Sequence, residues 1–215
     1  MQIYPNDRIV FFGDSITDAD RNREDNTDLG HGFPLFIASQ LGSKYPEMNL
    51  SFYNRGISGN KVADLNRRLE EDVLALMPDV VSIMVGINDT WHNVESPDFG
   101  TAKAAIAFEK EYRQLLMSLK RAGVSRLILM EPFVLPIPKN RTTWRVDLDQ
   151  KIQVIRLLAA EFHAEFISLD GLMNAAGIRH GFELYTKDGV HPTPVGYGLI
   201  TDEWMRHVQP TMELK

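Results

Sequence analysis

Five short apolar runs, at residues 8–13, 50–54, 80–86, 126–131 and 165–169, are rich in β-branched or aromatic side chains and bounded by Gly, Pro, Asn or Asp. Such runs predict β-strands. Several lack in-out alternation, which predicts burial on both faces of a sheet. Between them apolar residues recur at helical spacing, as in Val62, Leu65, Leu69 and Val73 and again in Leu148, Ile152, Ile155, Ala159 and Phe162. Helices are therefore predicted over 34–41, 62–77, 103–122, 146–162 and about 194–208, each with one face for a sheet. Pro34 suits a first helical turn, Gly42 and Gly123 suit positions just past helix ends, and Pro78 stops a helix before the third strand.

Regular alternation of strand and helix predicts an α/β fold: a three-layer αβα sandwich around a central, mainly parallel five-stranded sheet. In such sheets ligands bind outside the carboxyl ends of the strands. Ser15 follows the first predicted strand, Gly56 the second and Asn88 the third, while His191 opens the last helix. Four polar candidates from distant parts of the chain thus converge on one sheet edge.

Composition narrows the functions open to this architecture. The 215 residues suffice for one domain, expected over 1–215. A formal net charge of -6 without a Lys/Arg block argues against nucleic-acid or anionic-membrane partners, since Arg67-Arg68 is offset by Glu70, Glu71 and Asp72. Absence of cysteine excludes disulfides, thiolate catalysis and Cys-based zinc sites. The apolar stretch at 9–12 is strand-length, no signal peptide is read before it, and no run approaches the ~20 apolar residues of a membrane span. The expected location is the cytoplasm, which makes the Asn-x-Ser/Thr patterns at Asn49, Asn88 and Asn140 incidental. A homo-oligomer stays open.

The chemistry lies in Gly13-Asp14-Ser15 and Asp188-Gly-Val-His191. A serine hydroxyl is a weak nucleophile at neutral pH; it needs a base to take its proton and a third group to fix that base's tautomer. Ser15, His191 and Asp188 supply one candidate for each role. Ser15 and Asp14 also read as an ordinary helix cap, and Asp188 as a turn carboxylate. His31 and His92 lie in loops at the same edge but have no acidic partner at Asp188's spacing, so they read as pocket wall or surface.

Other chemistries fail on spacing. The Gly-x-Ser-x-Gly elbow is absent, and there is neither His-Glu-x-x-His nor a phosphate loop. Asp18, Asp20 and Asn22 mimic the start of a calcium loop, but Arg23 stands where Gly is needed and Leu29 where Glu is needed. No metal and no cofactor are expected.

In order along the chain, Gly13-Asp14-Ser15, Asn54-Arg-Gly56-Ile-Ser-Gly59, Gly86-Ile-Asn88-Asp89 and Asp188-Gly-Val-His191 resemble the four blocks of the SGNH hydrolases, also called GDSL-like esterases. The resemblance spans nearly the whole chain and implies a flavodoxin-like serine esterase. It implies Ser15 as nucleophile, His191 as general base then acid, and Asp188 as its partner. The backbone N–H groups of Ser15 and Gly56 and the side-chain amide of Asn88 are implied as the oxyanion hole. Gly86-Ile-Asn88-Asp89-Thr-Trp91 together with the 54–59 block is similar to the acetylxylan esterase branch, which implies a small ester substrate, an acetylated saccharide. Asp14, Trp91 and Tyr185 are the candidate substrate-binding residues; Asp14 and Asp89 also read as structural carboxylates that satisfy backbone N–H groups. Two other readings of the sequence stay open: a broad short-chain carboxylesterase, thioesterase or lysophospholipase, and a carbohydrate-binding module with an inactive triad.

Overall fold

The apolar runs assemble as a five-stranded sheet, all parallel, seen in a computed structural model that describes residues 1–212. Its strands are β2 (Arg8–Gly13), β3 (Ser51–Gly56), β4 (Val80–Met84), β5 (Arg126–Met130) and β6 (Glu165–Ile167), in the order β3-β2-β4-β5-β6. Burial on both faces explains the missing alternation. Ile9 and Phe11 of β2 enter one apolar cluster, while Val10 and Phe12 enter the other.

Helices cover both faces. The first cluster receives α2 (Phe33–Lys44), α7 (Leu169–His180) and α8 (Pro194–Arg206); the second receives α3 (Val62–Asp72), α5 (Ala102–Arg121) and much of α6 (Arg145–Glu161). Strand order reverses beside β2, so the β2 and β4 termini form the switch point where ligands bind in doubly wound sheets. Two short helices leave those termini: α1 (Ser15–Asp18) after β2 and α4 (Ile87–Trp91) after β4. A small parallel pair, β1 (Gln2–Ile3) with β7 (Gln209–Pro210), joins the chain ends. Among the described residues no helix is long and apolar enough to cross a membrane.

The element boundaries depart from the sequence reading in physically explicable ways. Gly42 lies inside α2, whose end is capped at Tyr45. The helix predicted to run to 77 stops at Asp72 and finishes as a 3-10 turn, Leu74–Leu76. The last helix begins at Pro194 with Thr193 as its N-cap, so His191 stands on the preceding loop. Helix α7 was not anticipated: its buried face, Leu169, Met173 and Gly177, is carried by a segment containing the weak helix formers Gly171, Asn174 and Gly177. Phe182 packs on Gly177, where a Cβ would lie 2.2 Å from the ring.

One close approach positions the site. Gly13 and Gly56 are register partners at the carboxyl ends of β2 and β3, and α1 crosses directly over Gly56. A Cβ on Gly56 would lie 2.1 Å from the Asp18 nitrogen, a backbone atom that cannot swing aside. Gly56→Ala is therefore expected to destabilise the fold by about 3 kcal/mol, measured by chemical denaturation, and to displace α1.

Candidate active site

Asp14 follows β2 directly and caps α1, its Oδ1 accepting the Ile16 N–H at 3.0 Å. Ser15 is thereby held as the first residue of a short helix. Its Oγ lies 3.0 Å from His191 Nε2, and His191 Nδ1 lies 2.6 Å from Asp188 Oδ2. The other Asp188 oxygen accepts the N–H groups of Val190 at 3.0 Å and His191 at 2.8 Å, and the Thr186 hydroxyl at 3.2 Å. The three-residue spacing is a tight turn folded around its own carboxylate. Gly189 makes that turn possible with φ +86, because a Cβ there would lie 2.3 Å from the Ile137 carbonyl oxygen.

Charges around His191 act in opposite directions. The Asp188 side chain raises the His191 pKa above its ordinary 6.5; burial opposes this, the charges of Asp188 and Asp14 add to it, and Arg141 counteracts it. Burial would raise Asp188 itself, but the His191 side chain and the His191 and Val190 N–H groups together hold it well below the usual carboxylate range. Burial pushes Asp14 up to about 7, against the Ile16 hydrogen bond and the attraction of His191. Its Oδ2 is buried without a hydrogen-bond partner among the described residues, as suits a carboxyl that resists ionisation.

Asn88 projects from α4, which Gly86 permits to start abruptly with φ +135. One Asn88 Nδ2 hydrogen is donated to the Asn60 carbonyl at 3.1 Å, which fixes the amide and leaves its second N–H available. Helix α4 is itself tied down: buried Thr90 donates to Asp147 Oδ2 at 2.6 Å, and the same carboxylate pairs with buried Lys151 and accepts the Gly100 N–H at 3.0 Å.

Gly56 does not offer its amide. Its N–H is donated to Asn54 Oδ1 at 2.8 Å, so the oxyanion role read for it meets a donor already engaged. The next amides are engaged in turn, Ile57 with the Gly13 carbonyl and Ser58 with Asp18 Oδ2. Gly59 follows with φ +82, and among the described residues its N–H meets no acceptor.

The remaining candidates separate by exposure. Asp14 is 1% exposed and Tyr185 7% exposed; the first is a helix cap and the second part of the apolar core, so neither presents a surface to substrate. Asp89 is half-buried and accepts the Val62 N–H, with desolvation pushing it up to about 7. Half-buried Trp91 lies beside the triad, its ring centroid 6.0 Å from that of His191. His31 lines the cleft, whereas the His92 ring approaches Gly59.

Arg141 was not singled out by the sequence reading. Its guanidinium is stacked over Trp91 at 4.5 Å and Trp144 at 4.0 Å, and its Nε donates to the Asp188 carbonyl at 3.2 Å. It thereby links α4 to the turn carrying the acid and base. Only the three-dimensional proximity of two indoles, one on α4 and one at the end of a distant 3-10 turn, reveals it.

Above Ser15 opens a cavity of about 280 Å³, bounded by Asp18, Asp20, His31, Ser58, His191 and Tyr197. A second cavity of about 250 Å³ lies behind α4 against Asp89, Phe108 and Lys151 and contains neither Ser15 nor His191. Among the described residues no group of three or more His, Asp or Glu side chains is arranged to hold a metal ion.

A serine, a histidine and an aspartate hydrogen-bonded in line at the switch point of a parallel sheet fit a hydrolase of the serine class. Residues 11–199 match the model of the GDSL-like lipase/acylhydrolase family, and the chain belongs to that family. It is a carboxylic ester hydrolase. An acetylxylan esterase of Geobacillus stearothermophilus is 33% identical, covering 97% of this chain and 96% of that protein. One of Xylanibacter ruminicola is 24% identical over 88% of this chain and 40% of its own length. Among solved structures, a GDSL-like protein from Parabacteroides merdae superposes with a TM-score of 0.87 at 34% identity, covering 95% of this chain and 96% of that one. The Geobacillus enzyme Axe2 superposes with a TM-score of 0.83 at 32% identity, with 96% of each chain covered. Its catalytic mutants alter a serine, an aspartate and a histidine, the last two three residues apart.

The pH dependence follows from the sign of the His191 shift. An imidazole that takes a serine proton must be neutral, so a raised His191 pKa is expected to place the acid limb of kcat/KM above 6.5. Asp188→Asn removes the interaction that raises it; a pH-rate profile should show the limb moved to lower pH, with kcat reduced about 10⁴-fold.

Proposed function

We propose that this protein removes acetyl groups from acetylated carbohydrates, with xylo-oligosaccharides as the substrate class to which its relatives point. The observation that carries the reading is the unbroken line from Ser15 Oγ through His191 to Asp188 at the floor of an open cleft. The acetylxylan esterase relatives support the substrate.

Each residue then has a step. Ser15 Oγ attacks the acetyl carbonyl carbon as His191 Nε2 takes its proton, and Asp188 stabilises the imidazolium. The tetrahedral oxyanion is received by the Ser15 N–H, the free Asn88 amide N–H and the Gly59 N–H. The Ser15 N–H is a first-turn donor without an intrahelical acceptor, a natural place for developing negative charge. Collapse expels the sugar hydroxyl, which takes its proton from His191. Water, deprotonated by the same nitrogen, attacks acetyl-Ser15 and releases acetate with Ser15 restored. Trp91, beside His191, supplies an aromatic wall suited to a sugar face.

Ser15→Ala is expected to abolish acetate release from acetylated xylo-oligosaccharides while keeping the wild-type melting temperature, and an organophosphonate should label Ser15 alone. Wild-type rates in that mutant would refute the serine mechanism, and faster hydrolysis of octanoate than acetate esters would refute the acetyl preference. Asn88→Ala should lower kcat about 10²- to 10³-fold in the same acetate-release assay.

A further inference from the structure

The cleft over Ser15 contains a carboxylate that the chemistry above does not use. Asp18 and Asp20 both line it, but only one is committed. Asp18 receives the Ser58 and Arg21 N–H groups and pairs with Arg23, so it is structural. Asp20 is exposed, and among the described residues its carboxylate has neither a hydrogen bond nor an ion pair.

Asp20 is nevertheless held in place. Ala19 and Asp20 are successive left-handed residues, with φ of 46 and 59, a conformation uncommon for side chains of L-residues. Both neighbours are buried and anchored: Ala19 accepts the His31 N–H at 2.8 Å, and Arg21 Nε donates to the Gly56 carbonyl at 3.1 Å. An exposed acid between two fixed residues projects its carboxylate into the cleft from a defined backbone position.

We propose that Asp20 determines specificity for the alcohol part of the ester by accepting hydrogen bonds from adjacent hydroxyls of the sugar that carries the acetyl group. This rests on the deacetylase reading above and deepens it. A carboxylate is acceptor-only, with two oxygens that match the two O–H donors of a vicinal diol. An acetyl group has no donor to offer it, and a longer acyl chain would have to desolvate the charge without compensation. Asp20 therefore reads the leaving alcohol, and it favours a polyol over an aromatic or aliphatic alcohol.

The test compares acetylated xylo-oligosaccharide with para-nitrophenyl acetate for the wild type, Asp20→Gly and Asp20→Asn. Glycine accepts the left-handed backbone, so Asp20→Gly removes the carboxylate without adding strain; its melting temperature should equal or exceed the wild type's. The ratio of kcat/KM on the sugar ester to that on the aryl ester should fall about 10- to 100-fold in Asp20→Gly, through KM, as the loss of charge-assisted hydrogen bonds requires. Asp20→Asn, which keeps one acceptor oxygen, should fall less. An unchanged ratio in both variants overturns the inference while leaving the deacetylase reading intact. A wild type that cleaves the aryl ester but releases no acetate from the sugar overturns both. Should Asp20→Gly fold poorly, Asp20→Asn alone decides by the same ratio.

Discussion

The catalytic face depends on Asn54. This wholly buried side chain at the end of β3 donates to the carbonyls of Thr17 at 2.6 Å and Leu29 at 2.8 Å, and accepts the Gly56 N–H at 2.8 Å. It joins the strand end, the short helix bearing the nucleophile and the loop that leads into α2. A helix of four residues has no internal ladder to speak of, so its orientation must come from outside. Leaving such buried carbonyls without a donor would cost about 1–3 kcal/mol each. Gly56 complements the anchor by allowing α1 to sit in backbone contact with β3.

Around that anchor, strand ends are finished by side chains rather than by further sheet. Arg68 Nη2 donates to the Gly13 carbonyl at 3.0 Å and Nη1 to the Arg55 carbonyl at 2.8 Å, while its guanidinium covers the Phe12 ring. On the far side of the nucleophile, Asp147 holds α4 and Arg141 joins α4 to the Asp188 turn. The Asp188–His191 turn and Asn88 on α4 thus come from separate segments that share supports, which maintains their mutual distances.

Electrostatically the site is a balance around His191. Asp188 and Asp14 favour the protonated imidazole and Arg141 disfavours it. Asp14, pushed up to about 7 by burial, exerts less than a full negative charge near neutrality. The base therefore feels chiefly the Asp188 carboxylate, whose own ionisation is secured by three N–H donors, two from backbone and one from the imidazole.

Sequence alone determined the sheet, the convergence of its carboxyl ends and the choice of Ser15, His191 and Asp188, which the fold brings into one hydrogen-bonded line. These follow from local information: uninterrupted apolar runs demand burial on both faces, and a hydroxyl, an imidazole and a carboxylate have intrinsic chemistry wherever they meet. The tertiary structure decided which groups are free. Gly56 and Gly59 stand in one motif and look equivalent as residue types, but Asn54 engages the amide of the first while the turn leaves that of the second open. Asp18 and Asp20 are likewise two acids two residues apart, separated by burial and by the arrival of Arg23, Arg21 and Ser58 at the former. Packing buries Tyr185 and Asp14, two of the substrate-binding candidates, and α7 stayed hidden because its glycines weaken helix propensity while Phe182 fills the space over Gly177. Hydrogen-bond commitment and burial depend on partners far away in the chain, and no residue carries that information by itself.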